Sequence, residues 1–237
     1  MSKKVLVIIP AYNEEKSVGH VIQKIRRAVP SVDVLVVNDG STDATSQVAR
    51  QAGAQVVDLP FNLGIGGGMQ TGYLYAYRNG YDAAVQIDAD GQHDPADLPR
   101  LLTHLEKGEA DLILGSRYVE KTRYRSTWTR RIGMIILSKM VSLIIGKPVY
   151  DTTSGYRVVN RNVMRLFAQN YPTDYPEVEA LVLVHLNGYK IREVPVEMEE
   201  RKAGRSSITP LKSVYYMVKV GLALVMNVLR KPTITKT

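Results

Sequence analysis

The sequence Ala83-Ala84-Val85-Gln86-Ile87-Asp88-Ala89-Asp90-Gly91-Gln92-His93 joins a short apolar run to two carboxylates that lie one residue apart. Neighbouring side chains on a strand face opposite ways, so Asp88 and Asp90 share one side, and the glycine that follows lets the chain turn and bring Gln92 round. Oxygen ligands of this kind suit Mg²⁺ or Mn²⁺ rather than zinc. The stretch therefore predicts a buried strand that ends at a divalent-cation site made by Asp88, Asp90 and Gln92.

A plain structural role for the same stretch stays open, because acidic side chains also cap helices. In that alternative the acidic pair lies in a solvated turn, and Asp94 or Asp97 caps the helix that follows. The motif alone does not separate the two roles, so its surroundings in the chain have to be considered.

Outward from this stretch, apolar strand-like runs alternate with helix-like segments. The other predicted strands are 5–9, 32–37, 54–57, 111–114 and 191–196. The predicted helices are 14–29, one that ends at 51, one that ends at 78, 129–145 and 176–187. Alternation of this kind is typical of a mostly parallel sheet with helices on both faces. We predict one compact α/β domain, followed by a last helix that begins after Thr209.

The chain has 237 residues, 45% of them hydrophobic, and no cysteine. Its length suffices for one substantial core. The absence of cysteine excludes disulfides, thiolate zinc sites and cysteine nucleophiles, and it is compatible with a reducing cytoplasm. The first apolar run is too short for a signal peptide.

The net charge of +8 comes from two blocks of the chain. Residues 115–150 carry 8 basic side chains and 1 acidic one, and residues 201–237 carry 8 basic side chains and no acidic one. Each block contains an apolar helix-like segment, at 132–145 and 211–229, that is too short and too interrupted by lysine to span a bilayer. Basic, apolar helices of this length predict a protein that lies on an anionic membrane surface. Alternatively, the helices pack on the core with a solvated basic side.

Polar loops follow predicted strands at one edge of the sheet, where open α/β folds usually bind ligands. Pro10-Ala11-Tyr12-Asn13-Glu14 follows the first strand, and Asn38-Asp39-Gly40 follows the second. Tyr12 is a candidate for stacking on a base, and Asp39 is a candidate acceptor for a base N–H or a ribose hydroxyl. In the structural alternative, Asn13 or Glu14 caps the first helix, and Asp39 caps or turns into the second.

Gly64, Gly66, Gly67 and Gly68 form a glycine-rich stretch, but their spacing fits neither a dinucleotide-binding motif nor a P-loop. No Gly-Lys-Ser or Gly-Lys-Thr sequence occurs in the chain. The stretch therefore predicts either a loop that closes on a nucleotide or the close packing of a helix.

Two arginines are candidates for gripping phosphate, because a guanidinium fork matches phosphate oxygens. Arg117 follows a predicted strand, and Arg201 stands in a loop that Gly204 makes adaptable. Asp151 is the first acidic residue after a long basic stretch. It is a candidate general base, a hydrogen-bond acceptor for a substrate hydroxyl, or an ion-pair partner of Arg157.

Taken in order, these motifs resemble those of the family 2 glycosyltransferases of the GT-A fold. The closest resemblance is to the dolichyl-phosphate mannose synthase and polyprenyl-phosphate glycosyltransferase group, and it covers about residues 4–208. The motifs that carry it are Pro10-Ala11-Tyr12-Asn13-Glu14, Asp39-Gly40-Ser41-Thr42-Asp43, Asp88-Ala89-Asp90-Gly91-Gln92-His93, Gly115-Ser116-Arg117 and Asp151-Thr152-Thr153-Ser154-Gly155-Tyr156-Arg157.

The resemblance implies a metal-dependent, inverting transfer of a sugar from a UDP-, GDP- or dTDP-sugar to polyprenyl phosphate. The catalytic residues that it implies are Asp151, Arg117 and Arg201. Mg²⁺ or Mn²⁺ would bind Asp88, Asp90 and Gln92. The residues implied to bind the donor and the cofactor are Pro10, Ala11, Tyr12, Glu14, Val37, Asp39, Asp88, Ala89, Asp90, Arg117, Arg201 and Ser206.

The resemblance also implies a division of the chain. A GT-A domain would occupy residues 1–208, with a nucleotide-sugar half at 1–117 and an acceptor half at 118–208, before an amphipathic helix and tail at 209–237. We expect the protein on the cytoplasmic face of a membrane. Nucleic acid is not an expected partner, because the basic residues lie beside aliphatic helices.

Two features depart from the family pattern. Arg201, Gly204 and Ser206 resemble the family's mobile acceptor loop, which in many relatives ends in Gly-x-Ser-Lys, whereas Ser207 takes the lysine position here. A hydroxyl of a lipid-linked glycan or of a cell-surface polysaccharide therefore stays open as the acceptor. Many bacterial members carry carboxyl-terminal transmembrane helices, which leaves open a separate integral-membrane partner. A sugar-phosphate nucleotidyltransferase is a further alternative, but it would need a basic loop after the first strand, and residues 10–14 contain no basic residue.

Overall fold

The computed structural model describes residues 3–119, 128–198 and 219–226. Within these residues the chain forms a seven-stranded sheet with α-helices on both faces. The strands are β1 (Val5–Ala11), β2 (Asp33–Asn38), β3 (Gln55–Asp58), β4 (Ala83–Gln86), β5 (Leu112–Ser116), β6 (Arg157–Asn160) and β7 (Ile191–Pro195). The helices are α1 (Val18–Ala28), α2 (Thr45–Gln51), α3 (Gly64–Arg78), α4 (Leu98–Glu106), α5 (Trp128–Ile145), α6 (Arg161–Gln169) and α7 (Pro176–Leu186).

The strands lie in the order β3-β2-β1-β4-β6-β5-β7. Neighbouring strands are parallel except at β6, which runs antiparallel to both β4 and β5. Because β6 is reversed, its amino end lies at the edge where the parallel strands have their carboxyl ends. The loop at residues 151–156, which leads into β6, is therefore brought to the edge that carries the polar loops.

β1 lies at the centre of the hydrophobic core. Its fully buried side chains alternate between two apolar clusters, with Leu6 and Ile8 on one face of the sheet and Val7 and Ile9 on the other. The first cluster includes side chains of α3, α5, α6 and α7, and the second includes side chains of α1 and α4. A strand covered on both faces reads as a continuous apolar run, which is why the sequence pattern predicts it.

The sequence pattern does not predict β6 or α6. β6 has 4 residues and begins with Arg157, whose side chain is fully buried. A charged residue at the start of so short a strand conceals its apolar period. α6 follows without a loop, and Asn160 caps it by accepting the backbone N–H groups of Asn162 and Val163.

The start of α1 differs from the prediction. The helix begins at Val18 rather than at residue 14. Asn13 has a positive φ of 55°, and Glu14 O accepts the backbone N–H groups of Ser17 and Val18 in a separate turn. The polar loop after β1 is therefore longer than the apolar pattern indicates.

The glycine-rich stretch lies inside α3, which begins at Gly64. A Cβ on Gly66 would lie 2.7 Å from Thr173 Cα, and a Cβ on Gly72 would overlap the Ile8 side chain. Close packing of a helix therefore accounts for part of the stretch. Gly64 and Gly68 face the cavity described below.

Residues 219–226 are helical, and Val220 and Leu224 are buried in the same cluster as α5. The Lys219 ammonium lies 3.5 Å from the Asp174 carboxylate. The remainder of the predicted last helix, at 211–218 and 227–229, falls outside the described residues. Across the part of the chain that is described, no helix has both the length and the apolar character needed to cross a bilayer.

Gly72→Ala is expected to destabilise the fold, because the new Cβ would overlap Ile8 in the core. Overpacking of this kind costs about 1–3 kcal/mol. Gly68→Ala is the matched control in the same helix, since its Cβ would meet no atom closer than 3.9 Å. Chemical denaturation should give a lower free energy of unfolding for Gly72→Ala alone. Equal stability of the two variants would contradict the packing role.

Candidate functional site

The loops after β1, β2 and β4 meet at one edge of the sheet and line a cavity of about 350 Å³. The predicted donor-binding residues that line it are Pro10, Ala11, Tyr12, Glu14, Asp39, Asp88, Ala89 and Asp90. Val37, which is also a predicted donor-binding residue, is fully buried in the core and is not part of the lining. The lining also includes Asn62 and Ile65, which belong to the glycine-rich stretch, and Glu177, which no sequence motif marks.

Asn13 joins the loop after β1 to the loop after β2. Its backbone N–H donates to Ser41 Oγ over 2.9 Å, and its Oδ1 accepts the Thr42 N–H over 2.9 Å. The Glu14 N–H donates to Thr45 Oγ1 over 2.8 Å. α1 has no side-chain cap, so the predicted capping role of Asn13 and Glu14 is wrong. These polar residues hold two loops together instead.

Asp39 is buried at the wall of the cavity. Its Oδ1 accepts the Leu63 N–H over 2.7 Å, and its own N–H donates to Ala11 O over 2.9 Å. α2 begins only at Thr45, so Asp39 does not cap that helix. The carboxylate is therefore fixed at the same cavity that the 49% exposed Tyr12 lines.

The acidic motif forms the turn after β4. His93 is buried, its Nδ1 accepts the Asp88 N–H over 3.1 Å, and its ring stacks on Tyr156 with centroids 5.0 Å apart. Asp90 Oδ1 accepts the Gln92 N–H over 3.0 Å. Asp88 and Asp90 both line the cavity, whereas Gln92 is not part of its lining.

The residue that follows the acidic motif, Asp94, caps the next helical turn. Asp94 Oδ1 accepts the Ala96 N–H over 3.0 Å and caps a short 3-10 turn at Pro95–Asp97. Asp97 forms an ion pair with Arg100 at 2.6 Å. Capping by Asp94 agrees with the structural alternative, whereas Asp97 makes no side-chain cap bond to α4. Asp88 and Asp90 cap neither element and line the cavity.

Gly155 bounds Asp88 from the side of the loop at 151–156. A Cβ at this position would lie 2.7 Å from Asp88 Oδ2 and 3.0 Å from Asp88 Oδ1, so a side chain here would displace the carboxylate. Within the described residues, no three Asp, Glu or His side chains form a metal cluster of their own. Asp88 and Asp90 nevertheless suit Mg²⁺, which commonly binds one or two carboxylates and takes its other ligands from water and substrate phosphates.

The cavity is strongly acidic. None of the described residues that line it is lysine or arginine. Its carboxylic side chains are Glu14, Asp39, Asp88, Asp90 and Glu177. Burial raises the pKa of Glu177, and the charge of Asp88 raises it further, against the lowering effect of Arg157. So much negative charge would repel a phosphate ligand unless a cation accompanied it.

Arg157 ties the amino end of α7 to the loop before β6. Its guanidinium is fully buried and donates to the carbonyl oxygens of Ser154 over 3.0 Å, of Pro176 over 3.4 Å and of Glu177. The predicted alternative in which Asp151 pairs with Arg157 is wrong, because backbone carbonyls hold Arg157 and Asp151 pairs with another arginine. Arg157 therefore fixes the helix end that carries Glu177.

Arg117 is the arginine that pairs with Asp151. Its Nε donates to Asp151 Oδ2 over 2.7 Å, its Nη2 to Asp151 Oδ1 over 2.7 Å, and its backbone N–H to Asp151 Oδ2 over 3.0 Å. Nη2 also donates to Thr153 Oγ1 over 2.8 Å. The Asp151 side chain is 0% exposed, and that of Arg117 is 12% exposed. A two-pronged bond to a buried carboxylate therefore sets the direction of the guanidinium.

An apolar groove of about 920 Å³ lies along α5 next to this pair. Tyr118 and Tyr150, the chain neighbours of Arg117 and Asp151, form part of its wall. The rest of the lining is Met134, Ile135, Ser138, Lys139, Ser142, Leu143, Gly146, Lys147, Pro148 and Val149. Arg117 Cζ lies 5.4 Å from the centroid of the Tyr118 ring, so the guanidinium is close to a surface suited to a hydrocarbon chain.

The remaining predicted residues, Arg201, Gly204, Ser206 and Ser207, lie outside the described residues, so their roles stay predictions. Glu177 is the chief residue that sequence reasoning missed. The proline before it, at the first position of α7, marks a helix start. Nothing in the sequence indicates that this start reaches the cavity.

The chain has clear relatives among known proteins. Residues 6–167 match the family model described as Glycosyl transferase family 2. A polyprenol monophosphomannose synthase from Mycolicibacterium smegmatis is 33% identical over 221 residues, which cover 88% of this chain and 82% of the relative. An undecaprenyl-phosphate mannosyltransferase from Micrococcus luteus is 32% identical over 87% of this chain and 88% of its own.

A solved structure shares the fold. The glucosyl-3-phosphoglycerate synthase of Mycobacterium tuberculosis, in complex with Mn²⁺, UDP-glucose and phosphoglyceric acid, matches 95% of this chain and 79% of its own with a TM-score of 0.69 and 23% identity. The expected GT-A fold is confirmed, and the family match overturns the nucleotidyltransferase alternative. The chain therefore belongs to glycosyl transferase family 2 and is a glycosyltransferase.

Proposed function

We propose that the protein transfers a sugar from a nucleotide-sugar donor to polyprenyl phosphate at a membrane surface, with inversion at the anomeric carbon and with Mg²⁺ or Mn²⁺ as cofactor. The observation that carries the proposal is the acid-lined cavity at the sheet edge, together with Arg117 beside an apolar groove. A prenyl phosphate acceptor needs both a cationic group and an apolar surface. The relatives named for polyprenyl substrates support this choice.

The acid-lined cavity suits a nucleoside diphosphate that binds together with a divalent cation. Asp88 and Asp90 would hold the cation, with Gln92 supplying a further ligand from the turn. The presence of Mn²⁺ and UDP-glucose in the fold relative supports such a pair. When bound, the cation would neutralise the departing diphosphate and act as a Lewis acid.

The nucleoside would lie on the loops after β1 and β2. The exposed ring of Tyr12 would stack on the base, and the Asp39 carboxylate would accept a hydrogen bond from the base or the ribose. Pro10, Ala11, Glu14 and Ala89 would form the adjoining wall, with Val37 supporting it from the core. The base is uracil, guanine or thymine in this proposal.

Arg117 would bind the acceptor phosphate, assisted by Arg201, while the prenyl chain lies in the groove along α5. An acceptor phosphate oxygen attacks the anomeric carbon as the bond to the donor diphosphate breaks, so the nucleoside diphosphate leaves and the configuration inverts. A phosphate monoester has a second pKa of about 6 and is largely dianionic near neutrality. It needs no general base, and Asp151 would orient Arg117.

The decisive test is the release of nucleoside diphosphate from a panel of nucleotide sugars, with and without polyprenyl phosphate in detergent. Release that requires both the lipid phosphate and Mg²⁺ or Mn²⁺ is expected. Asp90→Ala should reduce the rate by at least about 100-fold, because one of two cation-binding carboxylates is lost. Glu106→Ala, which removes an exposed carboxylate from α4, is the control and should retain the wild-type rate. Release that ignores the lipid phosphate would contradict the proposal.

A hydroxyl of a lipid-linked glycan is the second candidate acceptor, because Ser207 stands where many relatives have lysine. That acceptor would need a general base, and Asp151 would be the leading residue for this role. The Asp151 carboxylate is buried, and each of its oxygens accepts a hydrogen bond from Arg117, which favours an orienting role instead.

Asp151→Asn separates the two acceptors. With polyprenyl phosphate, we expect the variant to keep measurable turnover and to raise the acceptor KM by about tenfold, because an amide holds Arg117 less firmly than a carboxylate. The steady-state kinetics of both substrates would measure this. A fall in kcat of at least about 100-fold with an unchanged acceptor KM would instead indicate that Asp151 is a general base for a hydroxyl acceptor.

The membrane contact would involve α5 and residues 219–226. Exposed apolar side chains on these two segments are Ile135, Ile136, Leu143, Leu222, Val225 and Met226. Lysines accompany them at 139 and 219, which suits an anionic bilayer. We place the protein on the cytoplasmic face, alone or with a separate integral-membrane partner.

Leu143→Glu should weaken binding to anionic lipid vesicles by about tenfold, because a side chain that would enter the bilayer becomes charged. Leu143 is 85% exposed, so its replacement should leave the fold intact. Thr103→Glu adds the same charge to an exposed site on α4, against the opposite face of the sheet, and serves as the control. Equal co-sedimentation of the two variants would argue against this surface.

A further inference from the structure

Glu193, on β7, holds the backbone of the segment that carries Asp151. Its Oε2 accepts the Tyr150 N–H over 2.8 Å, and its Oε1 accepts the Asp151 N–H over 2.8 Å. The Ser116 hydroxyl lies close enough to the same carboxylate to lower its pKa. Both carboxylate oxygens are therefore committed to neighbouring elements. A glutamine could not replace this arrangement, because its amide has one accepting oxygen.

The contact between Glu193 and the backbone at 150–151 affects the position of Arg117, because Asp151 binds both residues. Glu193 fixes the Asp151 backbone, and the carboxylate of the same aspartate forms the two-pronged bond with the guanidinium. A movement of this backbone would carry the carboxylate with it. The 12% exposed Arg117 would then point in a different direction at the end of the groove.

The carboxylate of Glu193 stands in an unfavourable place for a charge. Burial raises the pKa of Glu193, and the nearby negative charge of Asp151 raises it further, against the lowering effect of its hydrogen bonds. Lys147 lies close enough to interact favourably with it, and its ammonium donates to Ile191 O. The hydrogen bonds to the 150–151 backbone compensate for the burial of the charge.

The β7 strand does not depend on this side chain. The backbone of β7 is paired in parallel with β5 from Leu112 to Ser116, with Leu114 opposite Glu193. Val194 and Ile191 bury their side chains in the core on either side of it. Loss of the carboxylate should therefore release the loop while the sheet stays in place.

We propose that Glu193 is a positioning residue of the acceptor site, which sets the direction of the Arg117 guanidinium by fixing the backbone at Tyr150 and Asp151. The inference rests on the proposed function, in which Arg117 binds the acceptor phosphate. It assigns to β7 a role in acceptor binding that the motifs at 115–117 and 151–157 do not include.

The test compares Glu193→Gln with the wild-type protein and with Glu106→Gln, a control that removes an exposed carboxylate from α4. We expect Glu193→Gln to lower kcat/KM for polyprenyl phosphate by about tenfold, mainly through KM, since one hydrogen bond to a charged group is lost. The KM of the nucleotide sugar should stay unchanged, and the thermal midpoint of unfolding should fall by no more than about 10 °C, because a single hydrogen bond is lost. Glu106→Gln should match the wild type.

A double-mutant cycle distinguishes positioning from a general structural effect. In an Arg117→Ala background, Glu193→Gln should change the residual acceptor kinetics by less than about twofold, because residues that act through one another are not additive. Additive losses, equal losses for donor and acceptor, or unchanged acceptor kinetics would each overturn the inference. If the wild-type protein does not use polyprenyl phosphate at all, the proposed function fails and the inference with it. If the wild type transfers sugar to polyprenyl phosphate and Glu193→Gln has the same acceptor kinetics, the inference fails and the proposed function stands.

Discussion

The site depends on the reversal of one strand, β6, within an otherwise parallel sheet. Because β6 runs antiparallel to its neighbours, the loop that precedes it meets the carboxyl ends of β1, β2, β4 and β5. That loop contacts both parts of the site, since Gly155 bounds the Asp88 carboxylate and Asp151 holds Arg117. A parallel β6 would place this loop at the opposite edge. The donor cavity and the arginine would then lie on different sides of the sheet.

The two parts of the site differ in charge, and on this basis we propose a different substrate for each part. The donor cavity is lined by carboxylates, so a nucleoside diphosphate would enter with a cation. The acceptor side presents a guanidinium held by a buried carboxylate beside an apolar groove. Two anionic substrates can approach each other in such a site because each has its own positive partner. Alignment of the attacking oxygen with the anomeric carbon would supply much of the rate enhancement.

The sequence predicted most of the fold from continuous apolar runs. β1, β2, β4 and β5 are buried on both faces, and such strands are visible in a sequence because they contain almost no polar residues. The sequence pattern does not predict β6, because the strand has only 4 residues and begins with a buried arginine, which interrupts the apolar run. The pattern predicts too early a start for α1, because the polar loop after β1 contains residues that also suit a helix start.

The sequence by itself determined the alternation of strands and helices, the acidic motif after β4 and the presence of polar loops after buried strands, because these are local patterns. Only the tertiary structure decided which of those residues meet. It placed Glu177 in the acid-lined cavity through the bonds of Arg157, joined Asp151 to Arg117 rather than to Arg157, and set Glu193 against the backbone at 150–151. These contacts join residues far apart in the chain, and the pairing of strands, which no local pattern encodes, brings them together.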